Sequence, residues 1–162
     1  MIRKVVQDQN PILHKKTLPI AKGFRSRTLE KLIEDMKDTL RKQDGLGLAG
    51  PQIGESLSIF VIPDRLAPEV RTPYAPFSFL KPLHPAVFIN PEVLTRSKTK
   101  EIMEEGCLSI HGIFKETSRF LEVKIKAQDE LGRKFSVKTK GLLARVFQHE
   151  IDHLNGILFI ER

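Results

Sequence analysis

The chain has 162 residues, 40% of them hydrophobic and 29% charged, which is the size of one domain, 1–162, that can bury a core and stay soluble. No apolar run approaches a membrane span, and MIRKVVQDQNP lacks the apolar core of a secretory signal, so a cytoplasmic protein with no membrane contact is expected. Lysine and arginine number 27 against 20 acidic residues, but they are scattered, which predicts a solvated basic surface and no specific nucleic-acid site; the single cysteine excludes an internal disulfide.

Residues 1–25 read as an extended arm, with a turn at Asn10-Pro11 and a continuous helix excluded by Pro19. Leu29, Leu32, Ile33, Met36 and Leu40 then make a helical stripe that predicts a helix from about Thr28 to Gln43, packed on a sheet. Gly45-Leu46-Gly47-Leu48-Ala49-Gly50-Pro51-Gln52 follows. Its glycines permit close backbone approach to a ligand, and no Lys-Ser/Thr makes it a phosphate loop.

The run Leu57 to Ile62 predicts a buried strand. Residues 63–85 hold six of the ten prolines and read as a long surface loop. Ala86 to Asn90 and Glu92 to Thr95 read as short strands broken at Pro91, with another at Lys100 to Glu104. Leu121, Val123, Ile125 and Ala127 alternate with polar residues, and Asp129-Glu130-Leu131-Gly132 turns that strand back into Lys134 to Thr139. A helix from Gly141 to Leu154, ended by Gly156, completes an α+β order: antiparallel strands around one buried C-terminal helix, with the N-terminal helix outside.

That last helix carries the chemistry. Leu142, Leu143, Val146, Phe147, Ile151 and Leu154 form its stripe, and His149 and His153 fall within roughly 20° of Leu142 at the stripe's border. Glu150 projects into the apolar sector, while Arg145, Gln148 and Asp152 take the opposite, polar face. Histidines at i and i+4 share one helix face with Cβ atoms about 6 Å apart, so they can take adjacent corners of one metal, with the intervening glutamate at its edge. A catalytic site of this type needs a third protein ligand. His14, His84, His111, Asp152 and Cys107 are candidates. Asp152 points roughly 100° away from His153, and no histidine follows His153. Cys107, between two strands and after a glycine, is the best remaining choice.

With those residues in place, the chain resembles the peptide deformylase family. Three motifs carry the resemblance: GLGLAGPQ at 45–52, EGCLS at 105–109 and QHEIDH at 148–153. The Asn10-Pro11-Ile12-Leu13 arm, Arg119, the strand ending in Asp129, Gly141 and Gly156-x-Leu158-Phe159 extend it over nearly the whole chain. The resemblance implies removal of the formyl group from formyl-methionine of nascent polypeptides. It implies Cys107, His149 and His153 as metal ligands and Glu150 as general acid/base. Gln52 and the Leu108 backbone N–H correspond to the oxyanion donors, and Gly45 and Gly47 to the loop against which substrate lies. The cofactor implied is one divalent metal, Fe(II) first, with zinc, nickel or cobalt accepted. Transient contact with the ribosome surface is a further implied partnership, although the chain stops nine residues after His153, without the C-terminal docking helix of some members.

Two positions depart from the family pattern. Gly50 replaces an alanine, which predicts a looser segment around Gln52, and Phe114 stands where many members carry an arginine. Rival readings are a metallopeptidase built on the same helix, a basic ribosome-binding module with a structural metal, and a degenerate deformylase homologue. An intact Glu150 speaks against the second, and a full set of catalytic positions against the third.

Overall fold

The computed structural model describes residues 1–21, 27–66 and 86–162. Residues 67–85 of the expected proline-rich loop, and with them His84, lie outside the described residues, as do 22–25 of the arm. The described elements are α1 (Arg27–Gln43), β1 (Leu48–Ala49), β2 (Ile59–Val61), β3 (Val87–Arg96), β4 (Lys100–Cys107), β5 (Ile110–Phe120), β6 (Glu122–Gln128), β7 (Lys134–Lys140) and α2 (Gly141–Leu154). The described strands all pair antiparallel, and one isolated parallel bridge joins Leu18 to Leu57. β1-β2-β3-β6-β7 form one sheet and β4-β5 a second. No helix among the described residues is long and apolar enough to cross a membrane.

The period-2 alternation of the central strands sorts their side chains onto two faces. Phe60, Ile62, Phe88, Val123 and Ile125 pack beneath α2. Ile59, Val61, Val87 and Ile89 point the other way and meet Leu29, Leu32, Ile33, Met36 and Leu40 of α1. The five-stranded sheet thus lies between the two helices, with α1 on its outer face as expected. Phe60, Phe88 and Phe147 form the aromatic centre under α2: Phe60 stacks on Phe88 at 4.5 Å, and both meet Phe147 edge-on at 5.5 and 4.7 Å.

Several local expectations are corrected. The two short strands expected around Pro91 are one strand, β3. Asn90 adopts φ +49 and the ladder with β6 shifts register between Ile89 and Glu92, so the proline sits in an irregularity that needs no N–H from it. The strand expected at 100–104 runs on to Cys107, and residues 110–120, to which the sequence pattern assigns no element, form the long strand β5. The extended arm contains a short 3-10 turn, Pro11–His14, capped by the Asn10 side chain. The arm then straps the end of α2: the Thr17 N–H and hydroxyl both donate to the Leu154 carbonyl.

α2 is buried on almost every side. Its start is set by Gly141 at φ +60, and its end by Gly156 at φ +73, whose N–H donates to the His153 carbonyl. Arg145, Gln148 and Asp152, expected on a polar face, are buried as well, because the β4-β5 sheet covers that face. Leu142, expected in the apolar stripe, is instead 47% exposed.

Candidate metal centre

Cys107 ends β4, and His149 and His153 lie one turn apart on α2. Their ligand atoms gather within 4.8 Å of one another. Cys107 Sγ stands 3.3 Å from His153 Nε2, and the two imidazoles are 4.9 Å apart at 76°. The His149 ring is fixed from behind by Glu105, whose Oε2 is 3.1 Å from Nδ1, leaving Nε2 for the centre. The other candidates stand elsewhere. His14 Nε2 is exposed and bonded to the Asp8 carbonyl, and Asp152 is taken by Arg119 and Arg162. His111 lies in the wall of the adjoining cleft but outside the cluster.

The donor set suits a soft or borderline divalent cation: one thiol sulfur and two imidazole nitrogens. Its electrostatics agree. Burial lowers the proton affinity of His149, yet hydrogen bonds to Cys107 and Glu105 outweigh it and lift its pKa to about 10. Burial pushes His153 well below its ordinary value, with His149 adding to the effect. The pocket therefore favours positive charge at its centre while denying a proton to one of its two imidazoles. His153 Nδ1 and Glu150 Oε2 are buried side-chain atoms without a hydrogen-bond partner, in a protein whose other buried charges are paired with care.

That pairing is densest behind His149. The guanidinium of Arg119 donates twice to Glu105, through Nε and Nη2 at 2.9 Å each, and through Nη1 to Asp152. Arg145 donates to Glu105 Oε1 at 2.6 Å and to the carbonyls of Thr117 and Glu101. Burial raises the Glu105 carboxyl, but the bonds from His149 and Arg119 prevail and hold it well below the usual carboxylate range. Glu105 thus remains an anion that orients the His149 imidazole, the position an outer carboxylate takes behind a histidine able to bind a metal. The sequence reading missed this role for Glu105, Arg119 and Arg145. The signals available were the place of Glu105 at the head of the EGCLS motif and of Arg119 among the positions of the resemblance, neither of which states the role; Arg145 had none.

Glu150 faces the same centre. Burial raises its pKa to about 7 against the opposing pull of His149 and Arg119. Its carboxylate occupies the space that a side chain at Gly47 would need: a Cβ there would fall on Oε1 and lie 2.6 Å from Cδ. A side chain at Gly47 would therefore displace the Glu150 carboxylate. Gln52 is buried, its Oε1 accepting from the Ala49 N–H at 2.8 Å and its Nε2 donating to Cys107 Sγ at 3.5 Å. The Ser109 N–H also reaches that sulfur, at 3.4 Å. Gly50 does not loosen this segment. A Cβ at Gly50 would meet the carbonyl oxygens of Leu57 and Glu55 at 2.8 and 3.0 Å, so the backbone is already closely packed.

A cleft of about 670 Å³ opens onto the cluster, lined among others by Gly45, Gly47, Gln52, Leu108, His149 and Glu150. All eight residues singled out from the sequence are thereby brought to one place: six line the cleft, as does Cys107, and His153 stands behind the sulfur.

Comparison with known proteins agrees with this geometry. The family model described as polypeptide deformylase matches residues 2–162. A peptide deformylase of Pseudothermotoga lettingae is 38% identical over 161 residues, covering 99% of this chain and 82% of the relative. One of Mesorhizobium japonicum is 39% identical, covering 99% and 83%. Among solved structures, the peptide deformylase of Thermotoga maritima superposes with a TM-score of 0.83 at 36% identity, covering 100% and 97% of the two chains. A Met-Ala-Ser-bound class I type b peptide deformylase of Acinetobacter baumannii gives 0.83 at 30% identity, covering 100% and 98%.

Proposed function

The chain belongs to the polypeptide deformylase family, hydrolases that remove the formyl group from N-formylmethionyl peptides, and from that premise we propose the following roles for its residues. Cys107, His149 and His153 hold one divalent metal, Fe(II) in first place and zinc, nickel or cobalt as alternatives. Bound there, such a cation would supply Lewis acidity and would lower the pKa of a water toward neutrality. Glu150 takes the proton from the attacking water as its oxygen adds to the formyl carbon. When the carbon–nitrogen bond breaks, Glu150 delivers that proton to the methionine nitrogen, giving formate and a free amine. A carboxyl with pKa about 7 suits both halves of that exchange.

Gln52 Nε2 and the Leu108 N–H stabilise the negative charge that develops on the formyl oxygen. The fixed geometry of Gln52 supports this role, because its Oε1 is held by Ala49 and its Nε2 is thereby turned toward Cys107. Gly45 and Gly47 let the peptide backbone run along the loop like an added strand. The observation that carries the reading is the buried Glu150 beside a Cys-His-His cluster at the floor of an open cleft. The Acinetobacter relative that binds Met-Ala-Ser supports the choice of an N-terminal methionyl peptide as the molecule the cleft receives.

The test, with protein purified without oxygen, is release of formate from formyl-methionyl-alanine with no release of acetate from acetyl-methionyl-alanine. Cleavage of methionyl-alanine would favour the metallopeptidase instead. The substrates are nascent chains, and the net charge of +7 supports transient contact with the ribosome surface. Salt-sensitive co-sedimentation with ribosomes checks that contact.

A further inference from the structure

Part of one face of the five-stranded sheet is left uncovered. Val123 and Ile125 of β6 and Phe135 and Val137 of β7 pack beneath α2, so the residues alternating with them point the other way. On that far side α1 covers only β2 and the start of β3. Beyond it, Lys124 and Lys126 of β6 and Lys134, Lys138 and Lys140 of β7 stand exposed. Strand pairing thus gathers these lysines on two adjacent strands, within about 20 Å at roughly 3.4 Å per residue. Two of them are paired: Lys126 with Glu92 at 2.9 Å, and Lys138 with Glu122 at 2.5 Å. Lys124 and Lys134 make no ion pair among the described residues, and the register sets Lys124 directly opposite Lys138.

Like charges directly opposite one another destabilise a sheet, and lysine is a poor strand residue. On an edge strand lysines guard against the addition of a further strand, and β7 is an edge. β6 is not. It lies between β3 and β7, so Lys124 and Lys126 have no edge to guard. A repulsion kept where the fold does not need it points to a partner that relieves it.

We propose that this lysine face binds the phosphate backbone of folded RNA without reading its sequence. Lysine contacts to phosphate position a protein on nucleic acid and carry no sequence information. An anionic membrane is the poorer occupant, because β6 and β7 offer no apolar side chain on this face to insert into a bilayer. The choice of RNA rests on the deformylase reading, whose substrates are chains still being made, where RNA is the abundant polyanion. The sheet separates the face from α2 and its histidines, so RNA held there leaves the cleft open to peptide.

The experiment follows the fluorescence anisotropy of a labelled RNA duplex of arbitrary sequence, titrated with the full chain between about 50 and 200 mM salt. Contacts to about three to five phosphates predict a log–log salt slope of about −3 to −4, a loss of about 10²-fold in affinity over that range. The double variant Lys124→Gln, Lys134→Gln should flatten the slope by about 2. It should melt no lower than wild type, because a like-charge pair is lost. Lys15→Gln, Lys16→Gln removes the same charge from exposed positions of the arm and should leave the slope unchanged. Both variants should keep wild-type formate release. A slope near zero, equal flattening in the two double variants, or tighter binding to phosphatidylserine vesicles than to the duplex overturns the proposal. Absence of formate from formylated peptide would instead overturn the deformylase reading, while anisotropy still decides whether the face binds RNA.

Discussion

Gly47→Ala tests whether the glycine loop exists for the catalytic carboxylate as well as for substrate. The added Cβ would lie 2.3 Å from Glu150 Oε1 and 2.6 Å from Cδ where ordinary contact begins at 3.4 Å, so the two groups must part by about 1.1 Å. Glu150 is 3% exposed, so the side open to it is the cleft, and yielding that way moves the carboxylate out of its place beside the cluster. Displacing a reacting group by about 1 Å costs on the order of 10²-fold in rate, and losing a general acid/base altogether costs roughly 10²–10⁴-fold. We expect kcat/KM to fall within that range, by about 3–5 kcal/mol of transition-state stabilisation. Overpacking should also cost about 1–3 kcal/mol of stability. Metal content should stay near one per chain, since the three atoms nearest the added Cβ all belong to Glu150 and not to a proposed ligand. Glu150→Gln should give a loss of similar size, again with metal retained. The double variant should be no worse than the poorer single one, because both act through the same carboxylate. Turnover within about threefold of wild type in Gly47→Ala, or multiplicative losses in the double variant, would refute the reasoning.

The remaining predictions concern the groups around that carboxylate. Gln52→Leu should lower kcat by the equivalent of about 3–4 kcal/mol, and it should also destabilise the fold by about 1–3 kcal/mol, because the buried Ala49 N–H loses its acceptor; a change confined to KM would remove Gln52 from transition-state stabilisation. Glu105→Gln should weaken metal affinity about 10- to 100-fold in competition with a chelator, and unchanged affinity would mean that Glu105 does not orient His149. The folded-state pKa of Glu105 lies below its ordinary 4.5, so its stabilisation is in place above that pH and is lost as pH falls toward the depressed value. Urea midpoints of wild type should decline below pH 4.5 by more than those of Glu105→Gln, and parallel curves would contradict this. In air, the iron-loaded enzyme should lose activity and gain oxygen atoms at Cys107 while the nickel form does neither, as followed by formate release and peptide mass.

Both helices were legible because Leu29–Leu40 and Leu142–Leu154 repeat with a clear helical period, and β6 and β7 because one face of each is buried. β5 was not. In IHGIFKETSRF most positions of the first half are exposed, since β4 and β5 form a two-stranded sheet of their own. Such a strand buries neither face along much of its length and leaves no period-2 trace. The histidine pair and Glu150 could be read from one helix. The ionic cluster of Glu105, Arg119, Arg145 and Asp152 could not, because it joins β4, β5 and α2 across separations of 14 to 40 residues. Arg145 and Asp152 look like a solvated face until the covering sheet is known.

The burial of α2 bears on how the chain acquires its shape during synthesis. Phe60, Phe88, Val123 and Ile125 are made before the helix that covers them, and Phe147 closes the aromatic cluster across 59 residues from Phe88 and 87 from Phe60. While the chain emerges residue by residue, that face of the sheet stays wet and adhesive until residue 154 has cleared the exit tunnel. Distant pairings of this kind close slowly, and the waiting intermediate is prone to aggregate. Cys107 waits alongside it as a lone thiol, with both imidazole partners still unmade. With the proposed ligand set, capture of a cation and docking of the last helix would be a single late event, and metal supply during expression should then govern the yield of folded protein as much as its activity.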